Sequence, residues 1–146
     1  MADEGRQLFC RVITPEEVIF DGEVDRVIAR IADGEIGVLV DHAPTISTLE
    51  IGDTRILQND ETLVYATSDG FFKVSDNLVQ ILVEEAIAAG EIDVSEAEGR
   101  VEEAENDLSS LGEGDEEDVE QAREEIERRR RVGENFVRVA RKYGEG

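Results

Sequence analysis

The chain has 146 residues, with 15 basic and 37 acidic side chains and a net charge of −22. That length allows one ordinary domain, or a small domain with an appendage. The charge argues against nucleic acid and anionic membrane surfaces as partners, and no apolar run approaches the ~20 residues that span a bilayer. The single cysteine, Cys10, excludes an internal disulfide, and its apolar neighbours in a strand pattern mark it as a core thiol. The start, Met1-Ala2-Asp3-Glu4, has neither the basic-then-apolar order of a signal peptide nor the arginine-rich character of a transit peptide. A reducing, cytosolic compartment is the expectation.

From Leu8 to Val83 the pattern is that of strands. Leu8 to Ile13 alternates, and Val18-Ile19-Phe20 runs to a turn at Asp21-Gly22. Val24, Val27-Ile28, Ala29 and Ile31 follow. Asp33-Gly34 between apolar runs is a strong hairpin signal, because Gly tolerates positive φ. Ile36 to Val40 reads as a buried strand, and Pro44 cannot donate to a ladder, so the sheet bends there. That arrangement presents Glu35 and His42 at two ends of one strand. Thr45 to Leu49, Arg55-Ile56-Leu57, Leu63 to Ala66, Phe71 to Val74 and Leu78 to Val83 are further strands. Turns are expected at Gly52-Asp53, Gln58 to Glu61, Ser68-Asp69-Gly70 and Asp76-Asn77. Many short strands at such spacing suggest an antiparallel sandwich or flattened barrel.

At Ile92-Asp93 the period changes from 2 to 3.6. Asp93 is a good N-cap, with Glu96 in capping-box position. Val94, Ala97, Val101, Ala104, Leu108 and Leu111 form one apolar stripe, and Gly112-Glu113-Gly114-Asp115 breaks it. A second, longer helix carries Val119, Ala122, Ile126, Gly133, Phe136, Ala140 and Tyr143, with Arg129 in the missing place. The short connection folds the pair into an antiparallel hairpin. The fold class is therefore α+β, with a β-sandwich domain over 1–90 and a helical hairpin over 91–146. Charge divides the same way. Residues 116–146 hold 8 basic and 9 acidic side chains, whereas residues 1–115 hold 7 and 28.

Nothing in the chain has the spacing of a phosphate-binding loop, a Rossmann fingerprint, a zinc site or a nucleophile elbow. No catalytic residue, metal or cofactor is expected. By themselves, Glu35 reads as a solvated turn residue and His42 as a polar cap bonded to nearby backbone. Arg128-Arg129-Arg130-Arg131 reads either as salt bridging to Glu124, Glu125, Glu127, Glu102, Glu103 and Glu105, or as a basic face for an acidic partner.

The order Asp33-Gly34-Glu35, Gly37-Val38-Leu39, His42-Ala43-Pro44 carries a resemblance. With Thr14-Pro15-Glu16, Phe20-Asp21-Gly22-Glu23-Val24, Gly52, Arg55, Tyr65-Ala66, Gly70-Phe71, Asn77-Leu78-Val79 and Glu91-Ile92-Asp93, it resembles the epsilon-subunit family of bacterial and chloroplast F-type ATP synthases. The resemblance implies a ten-stranded, two-sheet sandwich and a non-catalytic rotor subunit of a proton-translocating enzyme. It implies a peripheral place on the cytoplasmic face of the cell membrane, without bilayer insertion. The gamma subunit, the membrane ring of subunit c and the catalytic alpha and beta subunits are the implied partners. Glu35, Asp41, His42, Ala43 and Pro44 would meet the membrane ring and the gamma shaft. Arg128, Arg130 and Arg131 would meet an acidic loop of the beta subunit, the hairpin inhibiting ATP hydrolysis when extended. The alternative is a free-standing ligand- or nucleotide-binding regulatory module. Against nucleotide stands the family's Ile/Leu-Asp-x-x-Arg-Ala motif, here Ile92-Asp93-Val94-Ser95-Glu96-Ala97: a glutamate where an arginine would face phosphate repels the ligand.

Overall fold

Ten strands follow one another in the computed structural model, which describes residues 6–112 and 117–144. They are β1 (Leu8–Ile13), β2 (Val18–Val24), β3 (Arg26–Ile31), β4 (Gly34–Val38), β5 (Thr45–Leu49), β6 (Gly52–Gln58), β7 (Glu61–Thr67), β8 (Gly70–Ser75), β9 (Leu78–Val83) and β10 (Ala86–Ala88). A 3-10 turn, Ala89–Glu91, precedes α1 (Val94–Ser110) and α2 (Glu117–Tyr143). The chain divides into a strand unit, Met1–Ala89, and a helical unit, Gly90–Gly146. A β-sandwich followed by two helices is the architecture expected from the sequence.

One ladder runs β10-β7-β6-β3-β5-β8-β9-β1-β2, with β4 hairpinned onto β3. It turns a corner at β3, which pairs with β6 through Arg26 to Ile28 but meets β5 only at Ile31 and Leu49. On the far side Asp25 draws the layers together. Its backbone N–H donates to the Leu57 carbonyl at 2.8 Å, and its carboxylate accepts from the Asn59 N–H at 3.0 Å. The pairings are antiparallel except that β1 lies parallel to β9, from Phe9 opposite Leu78 to Ile13 opposite Leu82. Inward residues fill the interior: Cys10, Val12, Val27, Val38, Leu49, Ile56, Phe72, Val74, Val79 and Ile81 are all fully buried. Each such side chain favours the fold by roughly 1.5–3 kcal/mol. Burial, reinforced by the Asp21 charge, pushes the Cys10 thiol up to about 12, so it is an inert core group.

Turn chemistry sets the register. Asn59-Asp60 and Asp76-Asn77 both take positive φ and close two-residue hairpins between Gln58 and Glu61 and between Ser75 and Leu78. That is the type I′ pattern, which asparagine and aspartate tolerate best after glycine. The β3–β4 turn is centred on Ala32-Asp33, with Gly34 (φ 120°) opposite Ile31, one residue earlier than the sequence suggested.

Other expectations are corrected. Asp21-Gly22 is not a turn: both lie within β2, opposite Arg11 and Cys10, and Asp21 points outward to an ion pair with Arg11 at 3.4 Å. Gly52-Asp53 opens β6, because the chain has already turned where the Glu50 N–H bonds the Arg30 carbonyl at 2.9 Å. The strand expected over Ile36 to Val40 is Gly34–Val38, and Leu39 has already left the ladder, 57% exposed. The short β10 was not expected; Ala86-Ile87-Ala88 is too brief to carry a period. Gly70 is not needed for a turn but for clearance, since a Cβ there would stand 2.1 Å from the Leu82 carbonyl oxygen.

In the helical unit Asp93 caps α1, its Oδ1 accepting from the Glu96 N–H at 3.1 Å. Ala97 and Ala104 of α1 and Ile126, Gly133, Phe136 and Ala140 of α2 are buried. The helices approach closely at Gly133, where a Cβ would lie 2.9 Å from Val101 Cγ2 and 3.4 Å from the Ala97 carbonyl. Arg129 bonds Asp107 at 3.3 Å and Arg141 bonds Glu98 at 3.1 Å across the seam. Arg100 lies over the Phe136 ring at 5.3 Å. The buried face of α2 is wider than one stripe, because Val132, Asn135 and Val139 are buried as well. The breaker expected at Gly112-Glu113-Gly114-Asp115 lies, beyond Gly112, outside the described residues.

Substitutions at three glycines test this packing. Gly70→Ala should destabilise the strand unit by at least the ~1–3 kcal/mol typical of overpacking, since the obstacle is backbone; an unchanged urea midpoint would contradict the close approach. In the helices, Gly99 faces open space, so Gly99→Ala should stabilise α1 by up to about 1 kcal/mol. Gly133→Val should do the opposite by pushing the helices apart. Helical circular dichroism on heating reads both, and a Gly133→Val profile like wild type would rule out a tight seam.

Candidate docking surfaces

Of the rim residues, only Glu35 lies on β4. Glu35 stands one residue after the hairpin turn, on the outer face, where Arg55 Nη2 donates to its Oε2 at 2.6 Å. His42 is not on the strand at all. It closes a turn whose N–H reaches back to the Leu39 carbonyl at 3.2 Å, with Asp41 at φ 65°. His42 Nδ1 lies 2.7 Å from the Ala43 carbonyl. A carbonyl only accepts, so Nδ1 is the donor in this bond. The Thr45 hydroxyl donates to the same carbonyl at 3.0 Å. Pro44 is exposed and ends this loop just before β5. Thus Asp41, His42, Ala43 and Pro44 form one loop, and Glu35 is held elsewhere.

Asp41 locks that loop to the neighbouring strands. Its carboxylate takes a bond from Arg6 Nη1 at 2.6 Å and one from Asn77 Nδ2 at 3.3 Å, while its own N–H donates to Asn77 Oδ1 at 2.6 Å. The Arg6 bond first, then the Asn77 bond, hold its carboxyl below the usual carboxylate range. A depressed pKa means the clamp is complete above the ordinary carboxylate pKa and is lost only as pH falls through the lowered value.

Beside the loop lies a surface that sequence reasoning missed. Cross-strand partners share a face. Phe71 is opposite Leu82, Leu82 opposite Ile13, and Ile13 opposite Val18, giving an apolar row across β8, β9, β1 and β2. Phe71 is 65% exposed, and Leu82 and Val18 are exposed too. The next row is Ile46, Lys73, Gln80, Arg11 and Asp21, with Ile46 78% exposed. A third holds Leu78 opposite Phe9, which is also exposed. The available signal was Leu78-Val79-Gln80-Ile81-Leu82-Val83. A strand apolar on both faces asks for cover on both.

The arginine run is divided by the helix. Arg129 serves the seam. Arg128 lies 3.8 Å from Glu125 and Arg130 3.8 Å from Glu134, both loose contacts along α2, and Arg131 is exposed. A groove of about 460 Å³ beside the seam is lined by Glu98, Glu102, Glu105 and Glu134 over Val101 and Val137. Its four carboxylates repel anions, nucleotide phosphates included. Among the described residues no helix is long and apolar enough to cross a membrane, and no cluster of His, Cys, Asp or Glu is grouped to hold a metal ion.

Comparison with known proteins gives these surfaces a context. Residues 7–89 match the family described as ATP synthase, Delta/Epsilon chain, beta-sandwich domain. The chain is 66% identical to the ATP synthase epsilon chain of Rubrobacter xylanophilus over 146 residues, the full length of both. It is 39% identical to the chloroplastic epsilon chain of Lactuca sativa over 94 residues, 64% of this chain and 71% of that one. Among solved structures it is similar to a chain of the Euglena gracilis mitochondrial ATP synthase OSCP/F1/c-ring, with TM-score 0.68, 26% identity, and 90% and 79% of the two chains covered. A chain of the Tetrahymena thermophila mitochondrial ATP synthase central stalk and c-ring shares the fold, with TM-score 0.59, 16% identity, and 94% and 96% covered. Sandwich, helices and full-length similarity agree, and the chain belongs to the ATP synthase epsilon-chain family.

Proposed function

We propose that the chain is a non-catalytic rotor subunit of a proton-translocating F-type ATP synthase, peripheral on the cytoplasmic face of the cell membrane. The loop Asp41, His42, Ala43 and Pro44, together with the outer face of β5, β8, β9 and β1, grips the gamma shaft. Glu35, at the other end of β4, rests on the polar loops of the subunit c ring. Arg128, Arg130 and Arg131 meet an acidic loop of the catalytic beta subunit when the hairpin extends, and so restrain ATP hydrolysis.

The observation that carries this reading is the exposed apolar row through Phe71, Leu82 and Val18 in a chain of net charge −22. A contiguous apolar patch on so charged a molecule marks a surface that a partner covers. The clamped loop beside it supplies fixed polar contacts. For the hairpin, a partner shifts the closed and extended states only by its preference between them. Most buried seam residues are small, beside Ile126 and Phe136, and the ion pairs across the seam are exposed and worth about 0–1 kcal/mol each. Contacts of two or three arginines with carboxylates, at roughly 1.5–3 kcal/mol each when partly desolvated, are of the size to move that balance.

Reconstitution with catalytic heads lacking this subunit tests both halves. We predict that Ile46→Asp with Phe71→Asp leaves the thermal transition of the free chain in place but abolishes co-sedimentation with heads carrying the gamma shaft. Retained binding would remove the outer face from the interface. Arg128→Ala, Arg130→Ala and Arg131→Ala together should bind as wild type and inhibit ATP hydrolysis less, as should rising salt, which screens exposed pairs within about 8–10 Å. Equal inhibition by wild type and the triple variant would leave these arginines as helix salt bridges only.

A further inference from the structure

The outer face of β3, β4 and β6 concentrates arginine in the acidic half of the chain. Arg26 and Arg30 project from β3 and Arg55 from β6. Arg26 and Arg30 lie over glycines: a Cβ on Gly37 would be in ordinary contact with Arg26 Nη2 at 3.5 Å, and one on Gly52 with Arg30 Cδ and Nε at 3.5 Å. Glu35 is the cross-strand partner of Arg30, yet Arg30 leans over Gly52 instead. Arg55, which lies opposite Ile28, reaches across β3 to bond Glu35 at 2.6 Å. The inner end of that guanidinium is neutralised by an ion pair, without a hydrogen bond. Asp53 Oδ2 is 3.4 Å from Arg55 Nε, and the Asp53 side chain is only 8% exposed, against 27% for Arg55 and 52% for Glu35. Exposure thus rises outward along the chain Asp53, Arg55, Glu35, as it does in a strut whose base is buried and whose tip is free.

We infer that Arg55 is a positioning residue for ring docking: it orients Glu35 so that one carboxylate oxygen is held and the other faces the partner. This rests on the reading that Glu35 meets the membrane ring. A glutamate on an exposed strand otherwise samples several rotamers, and holding one oxygen removes that freedom before the partner arrives. Oε2 is occupied by Arg55 and Oε1 stays an acceptor. The group such a site accepts is a hydrogen-bond donor on a polar loop, a side-chain amide or a guanidinium, and a loop offering a carboxylate is refused. The pair is exposed enough that its share of folding stability is small, so its effect lies in geometry.

The test compares coupling in the assembled synthase, read as ATP-driven proton uptake per ATP hydrolysed in vesicles, for Glu35→Gln, Arg55→Gln, Arg55→Lys and the Glu35→Gln/Arg55→Gln double variant. The thermal midpoint of each free chain and its occupancy in the complex are measured alongside. The expected result is a several-fold loss of coupling for each Gln variant at unchanged midpoint and occupancy. The double variant is no worse than Glu35→Gln alone, because both changes remove one unit. Arg55→Lys recovers part of the loss. Glu35→Gln impaired with Arg55→Gln at wild-type coupling overturns the positioning role and leaves ring docking standing, as do losses that multiply in the double variant. Glu35→Gln at wild-type coupling overturns the docking reading itself.

Discussion

The sandwich depends on the parallel pairing of β1 with β9. Its partners are far apart in sequence, and Phe9 through Ile13 must find Leu78 through Leu82 before either layer is complete. Among the described residues β2 pairs in the ladder with β1 alone, so its place there depends on that pairing. Pairing at such separation costs loop-closure entropy before it returns any burial. What offsets that cost is the interior the pairing completes, with Cys10 and Val12 brought against the same core as Val79 and Ile81. The same pairing sets Ile13 beside Leu82 and Phe9 beside Leu78, so the outer apolar rows exist only because the first strand is slotted in against the last long one.

Much of this was legible in the sequence where local chemistry and tertiary packing agree. Asn59-Asp60 and Asp76-Asn77 are residues that tolerate positive φ, set between apolar runs, and both close hairpins. The cap at Asp93 and the change of period after it placed α1. Where the two disagree, packing won. Asp21-Gly22 has the composition of a turn, but its neighbours on β1 hold it extended, and Gly70 serves clearance rather than a bend. The polar rim residues were legible through a motif. The apolar outer face was not, because its members come from four strands and only register aligns them. The strut from Asp53 through Arg55 to Glu35 was hidden for the same reason, since it skips the adjacent strand.

The two units differ in what holds them. The strand unit has a core of fully buried valines, leucines, isoleucines and one phenylalanine. The helical unit closes on Ala97, Ala104, Gly133 and Ala140 together with Ile126 and Phe136, and ion pairs and a cation–π contact span the seam. Small residues let helices approach closely but remove little apolar area from water, and the charged contacts are replaceable by others of the same kind. A seam of that composition suits a part that exchanges partners, whereas the strand unit suits a part that keeps its shape.

The parallel alignment of β1 and β9 also has a mechanical consequence. Strands joined head to tail by a hairpin can be peeled apart one hydrogen bond at a time. β1 enters the ladder at Phe9 and β9 leaves it at Leu82, so tension drawn along the chain from those two ends pulls the strands past each other rather than apart. The bonds joining residues 9–13 to residues 78–82 would then resist together, in shear, and yield only as a group. That places the strongest orientation of a β-ladder along the line in which the polypeptide is drawn taut.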